Sequence, residues 1–151
     1  MRLDSRPGTY ALIVCSAVRR QVQIGKLGRL DVVPGFYVYA GSAFGPGGLA
    51  ARISRHRRKT KTRRWHIDYL TAILPVEEVW YTLDAIRREC HWADVLSQMR
   101  GAEVPAAGFG SSDCACRTHL WFFPIRPSRR TFCRRLTDSI PDHDRVYRVG
   151  C

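Results

Sequence analysis

The sequence predicts a small α+β domain, with short strands and amphipathic helices sharing one core. Three observations carry that expectation. The first 43 residues alternate runs of β-branched and aromatic residues with glycine-containing turns. From residue 47 onward, apolar side chains recur at the helical period. The chain has 151 residues and 45% hydrophobic content, enough for a single sizeable core.

The elements follow in order. GTYALIVCSA (8–17) is dense in β-formers and reads as a strand. Residues 19–35 alternate through Val22 and Ile24 and contain a Gly25-Lys26-Leu27-Gly28 turn, which predicts a hairpin. Residues 36–40, inside GFYVYAGSA, make the next strand, and an antiparallel meander is the simplest topology for these segments. GGLAARISRHRRK (47–59) predicts a helix. It has Leu49, Ala50 and Ile53 on one face, Arg52, Arg55 and Lys59 on the other, and His56 at the border. TKTRR is a basic connector to a second helix, WHIDYLTAIL, which Pro75 stops. VEEVWYTL (76–83) reads as a strand. Asp84 is placed to cap a helix over 85–100, and Gly101 ends it. A glycine- and serine-bearing loop (101–118) leads to a last strand, HLWFFPI. A basic helix capped by Ser128 follows, with Phe132 and Leu136 inward. The tail, 141–151, matches no pattern. The division is therefore a domain over 1–126 and a basic C-terminal extension, 127–151, packed on it or trailing from it.

The formal charge is +12, from 25 basic and 13 acidic residues. Such a surface attracts polyanions: nucleic acid first, DNA or RNA, and anionic membrane second. The 22 Arg, 3 Lys and absent Asn fit GC-rich coding, which accounts for Arg over Lys but not for basic over acidic. The charge is also concentrated. Residues 51–65 hold eight Arg or Lys and no acid, and Arg55, Arg58, Lys59, Lys61, Arg63 and Arg64 are the expected nucleic-acid contacts. No apolar run approaches the roughly 18 residues a membrane helix needs. The N-terminus lacks the apolar middle of a secretory signal, so a cytoplasmic location is expected.

The loop GSAFGPGGLA has the glycines of a phosphate loop but not its Lys or Ser/Thr, which argues against nucleotide binding. Glu89 falls on the apolar face of its helix with Trp92, Ala93 and Leu96, and Arg87 and Arg88 flank it. An inward carboxylate is costly unless paired or metal-bound. Either a salt bridge or a functional acid, such as a Mg²⁺ ligand, answers that cost. His66 and Asp68 suit capping or core hydrogen bonds more than a cleft. Asp113, His119 and the GFGSSDC loop either read DNA or shield a site, or form a structural glycine turn capped by the aspartate. Cys114, Cys116 and His119 form the one suggestive metal cluster. They fall one ligand short of zinc unless Cys90 or another histidine closes the set in space, so zinc is not the favoured reading.

The ordered set GTY, YAG, a helix arginine and a later helix glutamate resembles the GIY-YIG nuclease superfamily. GFYVYAGSA, GGLAARISRH, WHIDYL, REC and GFGSSDCACRTHLW more closely resemble its branch known as domain of unknown function one-two-three. Members of that branch occur alone or fused to endonuclease III-like glycosylases. The resemblance spans residues 7–123. It implies a central three-stranded antiparallel sheet flanked by helices, with an extra hairpin and an added C-terminal strand and helix in this chain. It also implies a divalent-metal-dependent DNA endonuclease serving repair or processing of branched, nicked or damaged DNA. Glu89 would hold Mg²⁺ or Mn²⁺. Tyr10 would act as general base or orient the water, with nearby arginines and the metal favouring its phenolate. Tyr39 would line the site, Arg52 would meet the scissile phosphate and His56 would assist. The chain departs from the pattern in Thr9 and Ala40, which stand where the family name has isoleucines, and in having no asparagine. The alternative is a non-catalytic nucleic-acid-binding module on the same fold.

Overall fold

All of the first strand, β1 (Gly8–Ser16), is buried except Cys15, so both of its faces and both of its edges need partners. The structure, a computed structural model, describes residues 3–150. It pairs β1 antiparallel with β4 (Gly35–Ala43) on one side and β5 (Val76–Thr82) on the other. This is the expected central antiparallel trio, and the sheet extends beyond it. β6 (Leu120–Phe123) adds to β4, and β7 (Val146–Gly150) adds to β5, giving the order β6-β4-β1-β5-β7.

Two strands stay outside this sheet. Among the described residues, β2 (Arg20–Ile24) and β3 (Gly28–Val32) pair only with each other. The simple meander expected from sequence is therefore corrected: β1 and β4 are joined through an excluded hairpin. The reason is polarity. Arg20, Gln21 and Gln23 of β2 are exposed and could not flank a strand that is buried on both faces.

Helices cover both faces. Against one lie α1 (Gly48–Arg57), α2 (His66–Thr71) and the hairpin. Leu49, Ile53, Leu70 and Ile24 pack there with Leu12, Val14 and Tyr37. Against the other lie α3 (Glu89–Gln98) and α4 (Arg129–Ser139). Trp92, Leu96, Phe132 and Leu136 pack there with Ala11, Ile13, Val38 and Trp80. The C-terminal residues are thus integral: α4 closes one core and β7 extends the sheet.

Two element limits differ from expectation. α3 starts at Glu89, not after Asp84, because the Asp84 carboxylate turns the chain instead. It accepts from the N–H of Ile86 (3.0 Å) and Asp144 (3.1 Å) and pairs with Arg88 at 3.3 Å. The unassigned tail supplies β7, whose Tyr147 stacks on Tyr81 at 5.3 Å. The cap at Ser128 forms as expected, its hydroxyl accepting from the Thr131 N–H at 3.2 Å. Among the described residues no helix is long and apolar enough to cross a membrane.

Candidate active site

The pairing of β1 with β4 sets the site. Tyr10 lies opposite Gly41 and Leu12 opposite Tyr39, so the two tyrosines stand diagonally on the α1 side of the sheet. Residue 41 must be small, because a Cβ there would lie 2.6 Å from the Tyr10 hydroxyl oxygen. In front of the tyrosines is a cleft of about 210 Å³, whose walls include Tyr10, Tyr39, Arg52, Arg87, Glu89 and Asp113.

Glu89 reaches this cleft from the opposite layer, which the edge of the sheet makes possible. β6 pairs with β4 only from Phe36 to Tyr39, leaving the edge beyond open to the first turn of α3. That turn is pinned beside β1: the Arg88 N–H donates to Thr9 Oγ1 at 3.0 Å, next to Tyr10. Glu89 keeps 21% of its side chain exposed, and its nearest cation, Arg87 Nη1, is 3.8 Å away. The carboxylate is therefore neither buried nor locked into a short ion pair.

The two cleft arginines are held by one residue. Arg52 donates to the Ser42 carbonyl at 2.9 Å, and Arg87 to the Ser42 hydroxyl at 3.0 Å. Arg52 also lies over the Trp65 ring at 4.5 Å, and Arg87 over Phe44 at 5.0 Å. Stacking and one hydrogen bond orient each guanidinium while leaving other N–H groups to face an anion.

His56 does not line the cleft. It is buried behind Tyr10, with Nε2 2.6 Å from the Tyr10 hydroxyl oxygen. Burial, with Lys61 adding to it, pushes His56 down to about 3, so the imidazole is neutral. Burial also raises Tyr10 well above the ordinary phenol range; Tyr39 adds to this and Arg52 opposes it. Desolvation outweighs Arg52, so without a bound cation Tyr10 rests as the neutral phenol.

The six expected nucleic-acid contacts divide. Arg55 grips the buried Asp68 through two bonds of 2.8 and 2.9 Å, and Lys61 donates to the carbonyls of Arg55 and His56, both at 3.0 Å. These two cations serve the fold. Arg58, Lys59, Arg63 and Arg64 are exposed, outside the cleft. Asp68 also accepts from the N–H groups of Arg64 (2.8 Å) and Trp65 (2.9 Å), and His66 Nδ1 accepts from the Gly110 N–H at 2.9 Å. Capping and loop anchoring are thus what WHIDYL contributes. The N-terminus of α1 is closed to phosphate, since the Ala50 and Leu49 N–H groups donate to the carbonyls of Asp4 (2.8 Å) and Arg6 (3.0 Å).

Some neighbours carried no signal in the sequence. Ser42, Phe44 and Trp65 are ordinary residues until folding places them around Arg52 and Arg87. The GFGSSDC loop roofs the cleft through Gly110, Asp113 and Cys114. Behind that roof the structure supplies the missing fourth ligand: Cys90, Cys114, Cys116 and His119 bring their donor atoms within 4.8 Å of one another. The incomplete trio read from the sequence is a complete quartet in space.

Neither a curated protein nor a solved structure matches the chain. The family described as "Domain of unknown function DUF123" matches residues 9–141, a stretch that contains every residue of the cleft and of the Cys/His quartet. On that match, the chain belongs to the DUF123 family.

Proposed function

We propose that the cleft hydrolyses DNA phosphodiester bonds with a divalent cation, Mg²⁺ or Mn²⁺, held at Glu89. The observation that carries this reading is convergence: Tyr10, Tyr39, Arg52 and Glu89 come from four elements and line one cleft. The same four residues carry the resemblance to the GIY-YIG nucleases. A cytoplasmic setting and a role in DNA repair or processing belong to the same proposal.

The donor set suits a hard cation. Mg²⁺ is commonly held by one or two carboxylates and keeps several waters, and Glu89 presents one accessible carboxylate beside the phenolic oxygens. A cation bound there lowers the pKa of a water or meets charge on the leaving oxygen. The protein's own groups do the rest. Arg52, aimed by Ser42 and Trp65, meets the charge that develops on the phosphoryl oxygens, and Arg87, also held by Ser42, gives a second donor. In the tautomer with its proton on Nδ1, the neutral His56 accepts the Tyr10 O–H at Nε2, 2.6 Å away. The phenolic oxygen then has lone pairs left to orient the attacking water. Tyr10 is accordingly a water-positioning group more than a free base.

The test is cleavage of branched, nicked and flapped DNA with Mg²⁺ by the wild type and by Glu89→Ala and Arg52→Ala. Each substitution is expected to lower the rate by about 100-fold or more. Activity surviving both would sink the assignment. A second reading, a non-catalytic nucleic-acid-binding module, draws on the exposed Arg58, Lys59, Arg63 and Arg64 outside the cleft. It predicts salt-sensitive binding that Glu89→Ala leaves unchanged, with no turnover. A parallel RNA substrate separates the two nucleic acids.

A further inference from the structure

We propose that Cys90, Cys114, Cys116 and His119 form a closed, tetrahedral structural zinc site that clamps the roof of the cleft to the first turn of α3. The geometry carries it. Zn–S near 2.3 Å and Zn–N near 2.0–2.1 Å give tetrahedral S···N edges of about 3.6 Å and S···S edges of about 3.8 Å. His119 Nε2 lies 3.3 Å from Cys114 Sγ and 3.9 Å from Cys90 Sγ, on either side of that value. All four donor atoms fit within 4.8 Å.

Ordinary packing does not account for the cluster. None of Cys90, Cys114 and Cys116 belongs to either hydrophobic core. Nor do disulfides, since all three are free thiols. Three sulfurs and an imidazole are a soft donor set that selects zinc over magnesium. With four protein ligands the site has no open position, so its role is structural. Zinc binding releases the thiol protons to solvent as thiolates form.

The placement explains why a structural metal is needed. The loop over 101–118 contains no helix or strand, and the buried Phe109 is its principal apolar anchor. Zinc would tie it, through Cys114 and Cys116, to the start of β6 through His119 and to α3 through Cys90. Cys90 directly follows Glu89, so the clamp also holds the cleft carboxylate and its roof in register. The zinc site itself stands whether or not the cleft cleaves DNA.

The test uses the full chain, purified under reducing conditions without chelator. Elemental analysis should find roughly one zinc per chain. Cobalt replacement in the reduced apoprotein should give the intense visible bands of tetrahedral Co²⁺ and a thiolate charge-transfer band. The double substitution C114S/C116S should abolish both. C15S and C133S, outside the quartet, should keep them. A metal-free chain that also takes up neither zinc nor cobalt would overturn the proposal. So would full zinc retention in C114S/C116S, or a cobalt spectrum without thiolate charge transfer. If the double variant does not fold, the wild-type stoichiometry and cobalt spectrum still decide. Zinc content is read without DNA, so a zinc-loaded but inactive protein refutes the cleavage reading alone.

Discussion

Protonating His56 should be one of the main costs of acidifying this protein. The ring faces Tyr10, Tyr39 and Trp65, with Lys61, Arg52 and Arg55 as the nearby cations and Asp68 as the opposing anion. Among the described residues its Nδ1 is buried without a hydrogen-bond partner. Burial first, then Lys61, push it down to about 3 from an ordinary value near 6.5. The sign follows. Below 6.5 the unfolded chain takes a proton that the folded chain refuses, so this contribution is complete above 6.5 and is lost as pH falls toward 3. At about 1.4 kcal/mol per pH unit, the loss is about 2 kcal/mol at pH 5 and about 3 kcal/mol at pH 4. Against a typical stability of about 5–15 kcal/mol, that is a measurable share. The assay is urea unfolding from pH 7 to pH 4.5 for the wild type and for His56→Gln. The wild type should be the more stable at pH 7, and the gap between the two should shrink by about 2 kcal/mol by pH 5. Parallel profiles would refute the reasoning, because His56 would then titrate alike in both states.

Three further outcomes follow from contacts in and around the cleft. Asp68→Ala strands Arg55 and two backbone N–H groups, and should cost about 3 kcal/mol in urea unfolding; a cost under about 1 kcal/mol would mean water replaces the carboxylate freely. Gly41→Ala drives a Cβ against the Tyr10 hydroxyl, and should destabilise by about 1–3 kcal/mol and lower the DNA cleavage rate; an unchanged melting temperature and rate would show that Tyr10 can shift without consequence. Replacing Arg58, Lys59, Arg63 and Arg64 together by Gln should reduce the slope of log K against log salt for duplex DNA by up to about 0.9 per lost phosphate contact, whereas an unchanged slope would move the DNA surface elsewhere.

Much of this was legible in the residues. Ser128 caps its helix and Phe132 and Leu136 face inward, because capping and helical period are local. Tyr10, Tyr39, Arg52 and Glu89 stand out in the sequence through the GIY-YIG resemblance, and all four meet at the cleft. At His56 the sequence shows a helix border and the resemblance an assisting role, but no periodicity shows that Tyr39, Trp65 and Lys61 enclose it. Arg55 and Lys61 look like DNA contacts in the sequence, where a run of cations is uniform. Their partners, Asp68 and two backbone carbonyls, appear only when α1 meets the connector and α2.

The sequence by itself determined the element types, the basic character of the 51–65 segment and the candidate tyrosine, arginine and glutamate. The first two rest on residue chemistry and on periods of a few residues, the candidate residues also on the resemblance to the GIY-YIG nucleases. Only the tertiary structure decided that β1 pairs with β4 across an excluded hairpin, that the tail becomes β7, that the short β6 opens an edge for Glu89, and that Cys90 completes a quartet with Cys114, Cys116 and His119. Each of those joins residues far apart along the chain. Which edge, face or cavity they share depends on how all the buried surfaces are satisfied together, and no local pattern records that.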